Sequence, residues 1–255
     1  MSTFVHTTLT AEMRRLRATR STTISLLAVL VFTALIAVAT VLLAGHQENG
    51  PLTAHTLDDA VRAPAKVLGF VLLLIGVLAA AGEHRHHTIV PTLLAEPRRR
   101  RVGAAKVAAL AGLGAVVALA VAALVAAVSG PMLAAHDAPS QHLAGIPAGV
   151  LALAVTSAGY GVIGVALGLL LRNQTAALVT ALVWQFVVEG ILPVVLRAPS
   201  LPTYLPGGSV SSLVRLGHHT AHGELPAWQG GALFAAYAMG LVLVAMVVSV
   251  PRDVT

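Results

Sequence analysis

Six apolar runs dominate this chain, each close to the roughly 20 residues that cross a hydrocarbon core of about 30 Å. They are Thr22 to Ala44, Ala65 to Gly82, Val107 to Ser129, Ile146 to Leu171, Thr175 to Leu196 and Trp228 to Val250. A bilayer offers backbone amides no water, so runs of this length must satisfy their own hydrogen bonds, which helices do. Composition agrees, because 57% of the 255 residues are hydrophobic and 10% are charged, against about 25% charged in soluble domains. The expectation is an all-α membrane protein, one transmembrane domain over residues 1–255 with six helical spans within 22–250. The first run is longer than the apolar core of a signal peptide and has no small-x-small cleavage site near Ala44, so it is read as a retained span.

An even number of spans puts both termini on one side, and the basic residues choose the side. With the N-terminus inside, twelve Lys and Arg are cytoplasmic (Arg14, Arg15, Arg17, Arg20, Arg85, Arg98, Arg99, Arg100, Arg101, Lys106, Arg172 and Arg252). Four are left outside, Arg62, Lys66, Arg197 and Arg215. The positive-inside bias therefore predicts two cytoplasmic termini. The net charge of +6 belongs to a membrane surface, where anionic lipid is a sufficient partner and no nucleic acid is needed. With no cysteine, disulfides and thiolate metal sites are excluded. Heavy use of Ala, Val, Leu, Gly and Arg suggests a GC-rich bacterial genome and a bacterial cytoplasmic membrane.

Residues 1–21 place Phe4, Val5, Leu9, Met13 and Leu16 at helical spacing ahead of a cluster of arginines, the pattern of a helix lying in the cytoplasmic interface. The outer segments Gly45 to Pro64 and Gly130 to Gly145 are polar and too short for folded domains. The third, Arg197 to Ala227, is rich in Pro and Gly yet keeps Leu205, Val210, Leu213 and Leu216, which suits a segment dipping into the outer leaflet.

Several motifs carry less than they promise. Gly159, Gly161 and Gly164 spell a dinucleotide fingerprint, but no strand precedes them and they fall inside a span. Close helix packing, with Gly164 and Gly168 as a small-xxx-small pair, is the better reading. Asn173-Gln174-Thr175 is a glycosylation sequon on the cytoplasmic side. His84, His86 and His87 lack the i, i+4 spacing of helical zinc ligands, and no metal site is assigned to them or to His218, His219 and His222. No Gly-Lys pair occurs, so no Walker loop can cradle a nucleotide, and no span holds a His or Asp for an intramembrane protease. The chain is not expected to be an enzyme or to hold a cofactor itself.

One acidic group falls within a predicted span. Glu189 has Gln185 one turn earlier and Pro193 one turn later, roughly 21 Å from the inner end of its span. A carboxylate there is costly and points to function in a gate or substrate path. The alternative is a carboxylate wetted near the outer surface or paired with Gln185 at a helix contact.

The densest polar block lies between the second and third spans. It runs from Glu83 through Arg85, Thr88, Ile89, Thr92, Leu93 and Leu94 to Pro97, Arg98 and Lys106. It resembles the signature of type-2 ABC transporter permeases: a Glu ending the second span, an Arg, a Thr-Ile opening a short helix, Thr-Leu-Leu, Pro-Arg, and a Lys before the third span. Ala11-Glu12-Met13-Arg14-Arg15-Leu16-Arg17 and Tyr204-Leu205-Pro206-Gly207-Gly208 are similar to further landmarks of that family. The chain departs from the pattern at His87, where such proteins often carry Gly.

The resemblance implies a six-span exporter subunit that dimerises and binds two copies of a separate ATPase subunit, which would hold ATP and Mg. Within residues 83–106, Glu83, Arg85, Thr88, Ile89, Leu93, Leu94, Pro97 and Arg98 would couple to that ATPase, with Arg172 to Gln174 as a second contact. Gln185 to Leu216 would include a re-entrant outer gate. Two competing readings remain, an ion-coupled secondary transporter using Glu189 and a membrane immunity or regulatory protein that does not transport. The secondary transporter expects further buried charges and an internal inverted repeat, and neither is found in the sequence.

Overall fold

The computed structural model describes residues 64–85, 99–134, 146–197, 200–214 and 225–249, with Arg62 and scattered positions between 24 and 39. Among the described residues the regular structure is helical throughout. In chain order the helices are α1 (Ala65–Arg85), α2 (Arg99–Ala134), α3 (Ile146–Leu171) and α4 (Gln174–Val183), the last prolonged by a π turn over Trp184–Val188. Three short helices follow, α5 (Leu192–Val195), α6 (Leu201–Tyr204) and α7 (Pro206–Val214). Finally α8 (Ala227–Val244) runs into a second π turn, Ala245–Ser249.

Five segments among the described residues are long and apolar enough to cross a membrane: Ala65–Gly82, Arg100–Val128, Pro147–Leu171, Gln174–Val195 and Ala227–Val248. This is the architecture of a multi-pass helical membrane protein. The five match the second to sixth expected spans. The first expected span, Thr22 to Ala44, lies largely outside the described residues, and where it is described it is helical. The residue 1–21 helix lies outside them altogether. The third span departs most from expectation, since α2 starts at Arg99 instead of near Val107. Arg, Ala and Lys are strong helix formers, so the basic run joins the helix that hydropathy alone would begin later.

Glycines set how these helices pack. A methyl group added to Gly164 would strike the Leu73 carbonyl oxygen, and one on Gly168 would lie 3.0 Å from the Ala81 nitrogen. From the other side, a methyl on Gly76 would meet the Gly161 carbonyl and the Val165 nitrogen. The backbones of α1 and α3 thus touch, as the pairing of Gly164 with Gly168 predicts. Contacts advance in the same order along both helices, from Gly69 beside Tyr160 to Gly168 beside Ala80, so α1 and α3 run parallel. Gly114 beside Ala158 and Gly103 beside Leu169 make α2 antiparallel to them.

This α1–α3 pair divides the core in two. On one side Leu68, Leu72 and Leu153 pack with Leu110, Val117 and Val121 of α2. On the other, Leu73, Val77 and Tyr160 meet Ala181 of α4, Val210 of α7 and Phe234 of α8. Gly159 makes room for the Phe234 ring, whose centroid lies 5.0 Å from that of Tyr160.

Two hydroxyls in the middle of α3, Thr156 Oγ1 and Ser157 Oγ, are fully buried with no hydrogen-bond partner among the described residues. An unsatisfied buried hydroxyl costs about 1–3 kcal/mol. Thr156→Val keeps the shape and removes the hydroxyl, so the thermal midpoint of the purified chain is expected to hold or rise. A clear fall would mean that the hydroxyl has a partner.

Candidate functional site

The most specific polar constellation is built where α4 breaks. Through Val183 the helix is regular, but the Glu189 amide donates to the Trp184 carbonyl five residues back, at 3.0 Å. Such π turns recur at functional positions in helices. Beyond it the chain cannot resume an ideal helix, because Pro193 has no N–H to donate to the Glu189 carbonyl. Pro193 instead sits buried in the first turn of α5. Gln185, Glu189 and Pro193, grouped from sequence, thus occupy one helix break, with Pro193 shaping it and the other two making its polar contacts.

Three donors converge on the Glu189 carboxylate. Trp184 Nε1 donates to Oε1 at 3.1 Å, Gln185 Nε2 to Oε2 at 3.3 Å, and the Gly207 amide to Oε1 at 2.9 Å. The first two are local and compensate a charge in apolar surroundings. The third crosses to another element.

Gly207 lies in the first turn of α7, behind Pro206, whose fixed φ suits a first helical position. Leu205 before it is extended, with φ −73° and ψ 158°, and its side chain offers no acceptor for the orphan amides of the first turn. Glu189 supplies that acceptor from 18 residues away, and its negative charge matches the positive end of the helix dipole. A methyl at 207 would meet the carboxylate and displace it from its present position, so glycine there lets the carboxylate approach the amide.

The opposite end of α7 is held by a cation. Arg62 Nη1 donates to the carbonyl of Val214, the last residue of α7, at 2.8 Å. Between the two ends, Ser209, Ser211 and Ser212 hydroxyls donate to the carbonyls of Pro206, Gly207 and Gly208 within the same helix. The body of α7 packs by shape, for Gly230 of α8 lets the Ser209 carbonyl and Ser212 approach its backbone. Tyr237 of α8 adds a hydrogen bond from its hydroxyl to the Tyr204 carbonyl at 2.9 Å.

The Gln185–Glu189 contact was legible from spacing. Trp184 and Arg62 were missed as site residues. The signal for Arg62 was its place among the few basic residues expected outside, against the positive-inside bias. For Trp184 it was an indole N–H that needs a partner in apolar surroundings.

Of the expected coupling residues, Glu83 and Arg85 fall in the last turn of α1. Thr88, Ile89, Leu93, Leu94, Pro97 and Arg98 lie outside the described residues. The second expected contact, Arg172 to Gln174, is a tight turn joining α3 to α4. Arg172 adopts φ 49°, and the Asn173 side chain caps α4 by accepting from the Ala176 amide at 3.1 Å.

An apolar groove of about 490 Å³ also opens between α2, α3 and α8, with Val107, Val155, Phe234 and Met239 in its lining. Its lining offers no side chain that would orient a ligand by hydrogen bonding, so the Glu189 node remains the better candidate. No protein-family model matches the chain, and no curated protein matches it.

Proposed function

We propose that this chain is the membrane-spanning permease subunit of an ATP-driven ABC exporter of a bacterial cytoplasmic membrane. It works as a homodimer with two copies of a separate ATPase and carries its substrate outward by alternating access. The observation that carries the reading is the paired capping of α7, a short helix between the fifth and sixth expected spans, by Glu189 and Arg62. A short helix fixed by charges at both ends within an apolar bundle suits a gate that must keep its shape while its surroundings shift. Irregular backbone at such depth is tolerated only when shielded by protein. Further support comes from α1 and α2, which reach Arg85 and resume at Arg99, flanking the charged block with rigid helix on both sides.

In this reading ATP and Mg bind the partner subunit, and residues 83–106 receive its motion. The engagement of both Glu189 oxygens by three donors weighs against the ion-coupled alternative, which needs a carboxylate open to an ion or proton.

Co-expression with an ABC ATPase sought in a neighbouring reading frame tests the proposal. ATP-dependent export into inverted vesicles is expected of the pair, and no saturable nucleotide binding of the isolated chain. Leu93→Asp, which would bury an unpaired charge at the docking face, is expected to cut co-purification about tenfold or more with insertion unchanged. Nucleotide turnover by the isolated chain would overturn the subunit assignment. An undiminished complex with Leu93→Asp would move the docking face elsewhere.

A further inference from the structure

We propose that Arg62 is a positioning residue that ties α7 to α1, so that displacement of the inner end of α1 is delivered to the outer helix α7. The role in export rests on the permease reading; the mechanical tie does not. α7 has nine residues, too few to hold a helix unaided, and depends on its surroundings. Its serines bond within the helix, so its hydrogen bonds to other described elements sit at its two ends. One end belongs to Glu189 and therefore to the helix break after α4. The other belongs to Arg62, just ahead of α1, whose first turn is closed by the Leu68 amide donating to the Pro64 carbonyl at 2.9 Å.

α1 itself is unbroken over 21 residues, about 30 Å of rigid helix. Its inner end is the turn containing Glu83 and Arg85, which opens the charged block. Its backbone is locked to α3 at Gly76, Gly164 and Gly168, so the α1–α3 pair shifts as a body instead of bending locally. Near the outer end of α1, Phe70 meets Phe186 of the π turn edge-on, with centroids 5.8 Å apart. α7 is therefore hydrogen-bonded at its ends to two bodies, α1 through Arg62 and the α4 break through Glu189, while its body packs on α8 and the core. A shift of α1 relative to α4 loads the two caps in opposite senses, and the Arg62 cap is the hydrogen bond through which α1 acts on the end of α7.

Hydrogen exchange on the full chain in lipid nanodiscs tests the tie directly. Arg62→Gln is expected to speed amide exchange in residues 210–214 about tenfold while leaving the α1–α3 contact unchanged. Arg62→Lys, which can still donate to the Val214 carbonyl, is expected to recover part of the protection. Glu83→Lys, at the inner end of α1, is then expected to alter exchange in α7 with Arg62 present and not with Arg62→Gln. Equal responses in the two backgrounds would overturn the proposal, as would unchanged α7 exchange in Arg62→Gln. A global rise in exchange would mark a merely structural role and also overturn it. Adding the ATPase and nucleotide separates the two claims. If nucleotide leaves the wild-type complex unchanged while the isolated chain behaves as expected, the permease reading fails and the tie stands.

Discussion

Under the proposed permease function, Glu189→Leu is expected to abolish export at normal membrane levels and with the ATPase still bound, and Glu189→Gln to leave a reduced activity: this is the graded result of a carboxylate that caps a helix. Leucine strips the acceptor from three donors at once, one of them the amide of buried Gly207. Each unmet donor in apolar surroundings costs about 1–3 kcal/mol, and the share lost at Gly207 falls on the α7 start. Glutamine keeps one oxygen for Gly207, and Gln185 can turn its own oxygen toward the new amide. What glutamine loses is the charge facing the helix dipole, about 0.3–2 kcal/mol. The order wild type, Gln, Leu therefore separates capping from a pure packing role. Export assays at matched expression decide it, and wild-type transport by both variants would demote Glu189 to a bystander.

The larger effect on the fold itself is expected from Gly164→Val. Its first added carbon already collides with the Leu73 carbonyl and lies 3.0 Å from the Val77 nitrogen, both backbone atoms that no side-chain rotation can clear. The parallel α1 and α3 must separate, and the two core clusters they divide lose their common wall. A cost of about 3 kcal/mol or more follows, enough to remove most folded protein. Gly112 is the natural control, because an added methyl there meets nothing within 4 Å among the described residues. Gly112→Val is expected to retain a monodisperse, thermally cooperative protein under conditions where Gly164→Val aggregates. Similar midpoints for the two variants would show that the α1–α3 contact is not close in the native protein.

Hydropathy made the spans legible because a bilayer imposes length and apolarity and little else. Ile146–Leu171 has the ends expected of it, and the Ala65–Gly82 window is the one the sequence suggested. Helix faces were harder to read. When every face is apolar, periodicity cannot tell which side meets protein, and only the glycine spacing pointed α3 toward a neighbour. The local half of the candidate site was equally visible, since Gln185 and Glu189 lie one turn apart. Its distant half was not. Gly207 and Arg62 reach their partners across 18 and 152 residues, distances at which a single sequence holds no record of contact. The π turn was hidden for a different reason, because Trp184–Val188 contains no Gly or Pro to mark a break.

The unequal reach of those contacts bears on how the protein is made. Synthesis runs from the N-terminus, so Glu189 emerges before the residues that complete its surroundings. Trp184 and Gln185, five and four positions earlier, already exist when it does and can meet the carboxylate as soon as their own turn forms. Gly207 arrives 18 residues later. The two early donors therefore act as an internal escort, shielding a charge during its transfer into lipid until the helix it will finally hold has been translated.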